Sequence, residues 1–308
     1  MTSHSLQSAP CVLMVRPACF YSNPETAKTN EFQHAIAADV DALDMAQAEF
    51  DGAAATLREA GVQVVVVEDT ESPQTPDALF PNNWLTTHAD GSCVLYPMQP
   101  ESRRGERRLD VLDILRIEHK KTIRHVLDWS DFEHTQKYLE GTGSLVLDRQ
   151  HRVAYACRSA RTDETVLRHF CRHFDYTPVL FDAFSQSGTA IYHTNVMMCV
   201  GTGYAVVCLE SIRDERERAQ VVDALSQHRQ IIDISYAQVA QFAGNMLEVR
   251  ASTDARLLVM SSRAYASLTA SQISALETHA NLVQCRVDGI EDAAGGGIRC
   301  MLAEIFLP

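Results

Sequence analysis

The feature that most constrains the fold of this chain is a repeated order of predicted secondary structure. Four times between residues 83 and 288, a β-hairpin is followed by a helix and then by a short buried strand. The hairpins alternate around turn residues, as in NWLTTHADGSCVLYPM, and the closing strands are short apolar runs, as in TPVLFDA. A period of about 50 residues is typical of arrays and propellers, in which each unit packs against its neighbours.

A short signature recurs at the same place in each of the four units. Ser-x-Arg follows the second hairpin strand at Ser102–Arg104, Ser159–Arg161, Ser211–Arg213 and Ser261–Arg263. The arginines are therefore 57, 52 and 50 residues apart. Because serine often caps a helix, we interpret the four pairs as contacts at the start of each helix, with direct substrate binding as the alternative.

A fifth unit can be assembled from the two ends of the chain. CMLAEIFL near the C-terminus is predicted to pair with CVLMVRP near the N-terminus, followed by a helix at 41–61 and a strand at 62–69. Such a closure removes exposed sheet edges. We therefore predict an α/β fold, a five-bladed propeller with pseudo-fivefold symmetry that is closed by the terminal strands. Since no linker divides the chain, we predict one domain over residues 1–308.

The charge of the chain argues against nucleic acid as a partner. Its 308 residues carry a formal net charge of −13, and no basic stretch is long enough to follow a phosphate backbone. One basic cluster, Arg103, Arg104, Arg107 and Arg108, is interleaved with acidic residues. We predict that it forms the solvated face of a helix running from about Arg104 to His119.

The cysteines and the apolar runs indicate the compartment. Nine scattered cysteines without a CxxC pair fit free thiols in a reducing compartment, with neither a disulfide framework nor a structural zinc site. No signal peptide is evident, and no apolar run approaches the roughly 18 residues that span a bilayer. We expect a cytoplasmic protein without a membrane partner or a bound metal.

Five segments precede the first hairpin strand of each unit, and in a closed ring they would converge near one axis. They are LFPNNW (79–84), YLEGTGS (138–144), IYHTNV (191–196), FAGNML (242–247) and GGGIRCM (295–301). They contribute amides, one carboxylate, one imidazole and one thiol, which together could form a reaction centre. The candidate residues are Asn82, Asn83, Glu140, His193, Asn195, Asn245 and Cys300.

Three consecutive glycines, 295–297, lead into Cys300. Glycine beside a strand marks a bend or a close approach by a ligand or another backbone. One interpretation is a flexible turn with Cys300 in the core. The other is a thiol that faces a pocket which only glycine leaves open, and the four other polar segments favour it.

These five segments resemble those of the pentein superfamily, which includes arginine deiminases, amidinotransferases and dimethylarginine hydrolases. The resemblance covers essentially the whole chain, and GGGIRCM is its most specific element; the set is most similar to the branch called the citrulline-utilisation hydrolase type. It implies a five-bladed α/β propeller that needs no cofactor. By motif, Cys300 matches the nucleophile, His193 the general acid/base and Glu140 the carboxylate beside the histidine.

The chain departs from the pattern of arginine-handling relatives at two positions that grip the substrate. Asn83 and Asn195 stand where those relatives carry aspartates, and the last Asp of a Glu-Gly-Gly-Asp pattern is also missing near Gly143 and Ser144. A buried guanidinium needs carboxylate partners, whereas a neutral ureido group suits an amide that both donates and accepts. The two asparagines therefore favour a ureido substrate, although asparagine also supports turns.

The predicted reaction is hydrolysis of citrulline to ornithine, carbon dioxide and ammonia through a covalent intermediate on Cys300, whose pKa a cationic His193 would lower. Asn82, Asn245 and Arg16 are further candidates for substrate binding, Arg16 at the substrate's carboxylate. Alternatives are a deiminase, dihydrolase or amidinotransferase acting on arginine or another guanidino compound, and a non-enzymatic propeller that binds partners. The oligomeric state stays open, a homo-oligomer included.

Overall fold

A computed structural model describes residues 6–35 and 40–308, in which fifteen short strands form five separate three-stranded sheets. The strands are β1 Cys11–Arg16, β2 Gln63–Glu68, β3 Leu85–Thr87, β4 Ser92–Leu95, β5 His125–Asp128, β6 Val146–Asp148, β7 Val153–Cys157, β8 Thr177–Phe181, β9 Met198–Val200, β10 Tyr204–Val207, β11 Gln230–Asp233, β12 Leu247–Arg250, β13 Arg256–Ser261, β14 Asn281–Cys285 and β15 Ala303–Ile305.

All five sheets share one design. They are β15–β1–β2, β3–β4–β5, β6–β7–β8, β9–β10–β11 and β12–β13–β14. In each, the middle strand is antiparallel to the strand named first and parallel to the one named last. The predicted α/β class and the five repeated units are confirmed.

The first sheet joins the two ends of the chain as predicted. Strand β1 pairs with β15 in antiparallel register, with Cys11 opposite Ile305 and Leu13 opposite Ala303. Its other edge pairs in parallel with β2 along all six residues. Because β15 follows the GGGIRCM segment directly, this pairing anchors the backbone on which Cys300 lies.

Nine α-helical segments separate the strands in the described residues. They are α1 Ala42–Glu59, α2 Asp110–Ile117, α3 Gly141–Ser144, α4 Glu164–Phe174, α5 Glu215–Ser226, α6 Tyr236–Val239, α7 Ser262–Ser267, α8 Ala270–Glu277 and α9 Asp288–Ala294. The aspartates Asp41, Asp163 and Asp214 begin α1, α4 and α5, where each side chain accepts two backbone N–H bonds. Such caps satisfy donors that the first helical turn leaves free.

Helices join neighbouring sheets through shared apolar clusters. Phe50 and Leu57 of α1 pack in one buried cluster with Met14 of the first sheet and Val259 of the fifth. The inner strands also lie side by side, β15 beside β3 and β9 beside both β6 and β12. This packing brings together the segments that enter those strands.

Short helical turns occupy four of the five segments predicted to carry the site. They are the 3-10 turns Pro81–Asn83, Thr194–Val196 and Ile298–Met301, and helix α3. A tight turn directly before a strand points side chains away from the sheet ladder. The turns therefore display polar groups at the entrance of the inner strands.

Two predictions for the basic cluster are wrong. The helix expected from Arg104 to His119 is split into a 3-10 helix, Glu101–Glu106, and the shorter α2. Arg103 is buried at 2% exposure rather than solvated. Arg104 and Arg107 both pair with Glu133, so the cluster is tied inward by carboxylates.

All nine cysteines are free thiols. Within residues 6–35 and 40–308, no helix has the length and apolar character needed to cross a bilayer. Over the same ranges, no three His, Cys, Asp or Glu side chains cluster in a way that could hold a metal ion.

Candidate active site

A cavity lies where the strand entrances meet. Its walls come from the segment before α1, from three of the short turns or their neighbours, and from the glycine run. The lining residues are Thr26, Asn30, Asp77, Phe80, Asn83, Arg103, Arg161, Tyr192, His193, Ala294, Gly296 and Cys300. Three predicted site residues, Asn83, His193 and Cys300, thus face one space although up to 217 residues separate them in sequence.

His193 and Glu140 form a buried pair. The distance from Nε2 of His193 to Oε2 of Glu140 is 2.8 Å, and both side chains are almost fully shielded from solvent. Burial lowers the pKa of His193 to about 4, although the hydrogen bond and the charge of Glu140 act to raise it. At neutral pH the imidazole is therefore neutral. Because the carboxylate accepts at Nε2, the proton lies there and Nδ1 keeps its lone pair.

Glu140 stays ionised because two buried arginines flank it. Burial alone would raise its pKa, but Arg161, the hydrogen bond from His193 and Arg103 together lower that pKa to about 2. The guanidinium nitrogens lie 3.6 Å from Oε2 for Arg161 and 3.9 Å for Arg103. The carboxylate can therefore orient the imidazole and stabilise it once it becomes protonated.

Cys300 is held between two amides. The Nδ2 groups of Asn245 and Asn195 donate to its Sγ at 3.3 and 3.6 Å. Burial raises the pKa of the thiol, and the Asn245 hydrogen bond and the charge of Arg299 offset this only in part. The resting thiol is therefore protonated.

The expectation that a cationic His193 lowers the pKa of Cys300 is wrong for the resting site. The imidazole is neutral because its burial outweighs Glu140, and the thiol is neutral because its own burial outweighs its hydrogen bonds.

Asn195 and Asn245 also hold two strand entrances together. Asn245 Nδ2 donates to the carbonyl of Asn195 at 3.0 Å, and its Oδ1 accepts from the backbone N–H of Arg299 at 3.2 Å. Neither asparagine lines the cavity directly, and both contact Cys300. Their contacts set the position of the thiol.

Asn82 and Asn83 lie on one 3-10 turn and are both buried. Asn83 Nδ2 donates to Oδ1 of Asn82 at 3.1 Å, and Asn83 Oδ1 accepts from Arg103 at 2.8 Å. The Nδ2 of Asn82 has no hydrogen-bond partner among the described residues. Only Asn83 reaches the cavity wall.

The glycine run supports the second interpretation of the Cys300 segment. Gly295 ends α9 with φ of +63°, in the left-handed region, and a Cβ there would lie 2.5 Å from Asn30 Nδ2. Gly296 lines the cavity, where a Cβ would lie 2.8 Å from the Phe80 ring. A side chain on Gly296 would enter the cavity that Cys300 lines, and one on Gly295 would displace Asn30.

Arg16 does not reach the cavity. Its guanidinium lies 2.8 Å from Asp51 of α1 and 3.6 Å from Glu68 of β2, at the partly exposed end of strand β1. The prediction that it binds the substrate's carboxylate is therefore corrected. The register places the last residue of β1 at the same end of the strand pair as Cys300, but the Arg16 side chain is directed to Asp51 and Glu68 and does not line the cavity.

Arg161 is the cationic residue that sequence analysis undervalued. Its Nη2 donates to Oγ1 of Thr29 at 2.8 Å and to the Thr26 carbonyl at 3.3 Å, and its guanidinium lies over the Tyr192 ring. The Ser-x-Arg signature contains this arginine, but from the sequence we interpret the signature as a helix-start contact in all four units. Among the cavity-lining residues, Arg161 is the one arginine of that signature, so the repeat alone could not single it out.

The fold and the family match place this chain in the pentein superfamily of guanidino-modifying enzymes. The chain belongs to the family described as "N,N dimethylarginine dimethylhydrolase, eukaryotic", whose model matches residues 16–307. The superfamily resemblance inferred from the five segments is confirmed; the citrulline-utilisation branch stays a prediction. A comparison with curated protein sequences gives no match.

Solved structures share the fold at low sequence identity. Apo ArgZ, an arginine dihydrolase of the ornithine-ammonia cycle in cyanobacteria, superposes with a TM-score of 0.74 and 17% identity over 97% of this chain and 41% of its own. This chain thus spans about two fifths of full-length ArgZ. A cysteine-to-serine variant of the ArgZ N-terminal domain, bound to substrate, superposes with a TM-score of 0.73 and 17% sequence identity. The match covers 96% of this chain and 99% of that one.

A smaller relative has the same extent as this chain. The dimethylarginine hydrolase of Pseudomonas aeruginosa, in a cysteine-to-serine variant complexed with citrulline, gives a TM-score of 0.64 and 14% identity. The match covers 97% of this chain and 100% of that one. At these identities the likeness establishes the fold alone.

Proposed function

We propose that this protein is a cysteine hydrolase that cleaves a carbon–nitrogen bond of a ureido amino acid, with citrulline as the first candidate. The observation that carries the proposal is the amide at the reactive end of the cavity, beside a thiol and an imidazole–carboxylate pair. Asp77 is the one carboxylate among the described lining residues. It already accepts from Asn23 at 2.7 Å and lies 3.7 Å from Arg103. A cationic guanidinium would find no unpaired carboxylate there.

The protonation states define the order of steps. Cys300 passes its proton to Nδ1 of His193, and the thiolate attacks the ureido carbon. Glu140 stabilises the imidazolium, which protonates the leaving nitrogen. Water then attacks the thiocarbamate left on Cys300 while His193 takes up a proton, and the sulfur leaves. The carbamic acid that is released breaks down to carbon dioxide and the second nitrogen product. The net products are ornithine, carbon dioxide and ammonia.

Arg161 is proposed to bind the substrate's carboxylate in place of Arg16. It lines the cavity, is buried, and forms an ion pair with Glu140 at 3.6 Å, which is longer than a hydrogen bond. Guanidinium binds carboxylate through paired N–H donors. Its contacts with Thr26 and Thr29 hold the side chain in place for this role.

Arginine dihydrolysis is the second candidate. The matched family and the arginine dihydrolase ArgZ share this fold, and both act on guanidino compounds by their names. In the dihydrolase reaction arginine yields one ornithine and two ammonia molecules, whereas citrulline yields one of each. A dimethylarginine hydrolase would release citrulline and dimethylamine instead.

A second proposal concerns the arrangement of the five sheets and the extent of the domain. We propose that the five sheets stand around one axis as propeller blades, and that residues 1–308 work as one domain in the cytoplasm. The common strand order, the contacts between inner strands and the meeting of distant segments at one cavity support the arrangement.

A substrate screen tests the function. Purified protein is incubated with citrulline, arginine and dimethylarginine, and ornithine, citrulline, ammonia and dimethylamine are quantified. We expect ornithine and ammonia in a 1:1 ratio from citrulline, and none from Cys300→Ala, which should keep its melting temperature. A 2:1 ratio of ammonia to ornithine from arginine would favour the second candidate. Turnover by Cys300→Ala would remove the nucleophile assignment.

A further inference from the structure

We infer that Arg103 and Glu106 are positioning residues that fix the orientation of the Asn83 amide and thereby make the site prefer a ureido over a guanidino group. The inference rests on the proposed function, since it names the device by which that site would select its substrate. Arg103 and Glu106 lay outside the predicted site, in a cluster expected to be solvated.

The guanidinium of Arg103 is already matched inside the protein. Its Nε and Nη2 donate to the two carboxylate oxygens of Glu106, each at 2.8 Å. Both side chains are 2% exposed. This two-point pairing holds the guanidinium plane in one orientation. Asp77 and Glu140, at 3.7 and 3.9 Å, surround the same charge. Although Arg103 lines the cavity, it is therefore a poor anchor for a substrate's carboxylate, unlike Arg161.

The remaining nitrogen of Arg103 determines which way the Asn83 amide points. Nη1 of Arg103 donates to Oδ1 of Asn83 at 2.8 Å. Guanidinium has donors only, so the amide atom that faces it must be the oxygen. A flipped amide would place two buried donors against each other, and the NH₂ group must therefore point the other way.

The NH₂ group of Asn83 points towards the reacting groups. A Cβ on Gly143 would lie 2.5 Å from Asn83 Nδ2 and 2.7 Å from His193 Nδ1, so both nitrogens lie over the same glycine. One N–H of Asn83 is used by Asn82 at 3.1 Å, which leaves the second. The reactive end of the cavity is thus offered a donor and denied the amide oxygen.

A fixed donor distinguishes the two substrate classes. The ureido carbon bears a carbonyl oxygen, which accepts a hydrogen bond and gains negative charge when sulfur attacks. A guanidinium carries only N–H groups, which would meet the Asn83 donor without compensation. The preference for a ureido group therefore depends on Arg103 as well as on Asn83. If Arg103 instead bound the substrate's carboxylate, it would bind ureido and guanidino substrates alike and create no preference.

Binding to an inactive background tests this independently of turnover. Cys300→Ala serves as the parent protein, and Arg103→Met, Arg103→Lys or Glu106→Gln is added to it one at a time. Calorimetry gives the dissociation constants of citrulline and arginine for each of these four proteins. We expect the parent to bind citrulline at least tenfold more tightly than arginine. Arg103→Met should reduce this ratio at least tenfold, Glu106→Gln should reduce it less, and Arg103→Lys, which keeps a donor, should restore part of it.

The neighbouring arginine supplies the matched control. Arg104→Met removes an equal charge that pairs with Glu133 and lies outside the cavity lining, so the ratio should not change. An equal loss of affinity for both ligands in Arg103→Met would identify a carboxylate anchor and overturn the inference. If Arg103→Met does not fold, Glu106→Gln and Arg103→Lys take its place. An unchanged ratio of the arginine and citrulline dissociation constants in these two folded variants would also overturn the inference.

The two proposals fail in different experiments. If the active protein releases no ornithine from citrulline while Cys300→Ala still prefers citrulline through Arg103, the proposed function is wrong and the orientation of Asn83 stands. If citrulline is hydrolysed but substitution of Arg103 does not change the binding ratio, the proposed function stands and the inference about Asn83 is wrong.

Discussion

Gly143 shows how one residue without a side chain can define a reaction site. Its Cα lies beneath both Asn83 Nδ2 and His193 Nδ1, with only 2.5 and 2.7 Å available to an added Cβ. Both contacts are shorter than any real carbon–nitrogen contact outside bonds, so one partner must move. The missing aspartate of the arginine-handling pattern therefore fits a site with no room for that side chain.

Gly143→Ala should lower kcat for the preferred substrate by at least 100-fold, because a displacement of about 1 Å at a reacting group is that costly. The folded structure should persist, since the strain falls on two side chains. Steady-state kinetics and the melting temperature check both parts. Gly52→Ala, in helix α1 with open space around it, is the control and should leave kcat unchanged. Wild-type kcat in Gly143→Ala would contradict the geometry.

The raised pKa of Cys300 predicts slow alkylation at neutral pH. Only the thiolate reacts, so the rate of labelling by iodoacetamide should keep rising through pH 9. Asn245→Asp replaces an N–H donor to sulfur by a carboxylate and should slow labelling further at every pH. Mass spectrometry of the Cys300 peptide follows the rate. A plateau reached near pH 7 would indicate a resting thiolate–imidazolium pair instead.

Residue types were predictable from the sequence where chemistry demands them, and partners were not. Cys300, His193 and Glu140 stand at strand entrances, and the structure brings them together. Arg103 was mistaken for a solvated residue because its nearest charges in sequence suggest a helix face. Its actual partners include Asn83, 20 residues away, which no local pattern reveals.

Among the elements, the periodic patterns predicted the strands and the first helix, but not the bounds of the helix expected from Arg104 to His119. The apolar runs of β2 and β8 lie within the predicted ranges, and α1 lies within the helix predicted at 41–61. The 3-10 turns that carry the site could not be predicted as such, because three or four residues contain too few hydrogen bonds to leave a period. Their position became predictable only through the repeat.

The segment before α1 closes one side of the cavity, and Asn30 is its main anchor. Asn30 Nδ2 donates to the carbonyls of Ala294 and Gly295 at 3.0 and 3.3 Å, next to the glycine run. Asn30→Ala should cost about 1–3 kcal/mol of unfolding free energy by leaving the buried carbonyl of Ala294 unpaired, whereas the carbonyl of Gly295 still accepts from the Tyr192 hydroxyl.

Asn30→Ala should also raise KM several-fold, because Thr26 and Thr29 on the same segment hold Arg161. Urea unfolding and steady-state kinetics measure the two effects. Asn281→Ala, at the exposed start of β14, serves as the control and should change neither. A KM equal to that of the parent would show that the segment does not position Arg161.

At the scale of the whole molecule, the buried site makes folding sensitive to acid. His193 has its pKa lowered to about 4 and Glu140 to about 2 in the folded state. Unfolding returns both groups to their ordinary pKa values, about 6.5 and 4.3. The unfolded chain therefore binds more protons in both windows, and the stability present above pH 6.5 is lost as pH falls, first through His193 and then through Glu140.

His193→Gln isolates the first of these windows. Between pH 7 and pH 5, His193 should account for a loss of about 2 kcal/mol in unfolding free energy, since each pKa unit corresponds to about 1.4 kcal/mol. The variant should lose correspondingly less over this range in urea titrations at the two pH values, while exposed His125→Gln should lose as much as the parent. Since both variants remove one histidine, equal pH dependence in all three proteins would mean that His193 is not held neutral by burial. The site would then rest as a charged pair, and the proton transfer that begins the proposed reaction would already have occurred in the free protein.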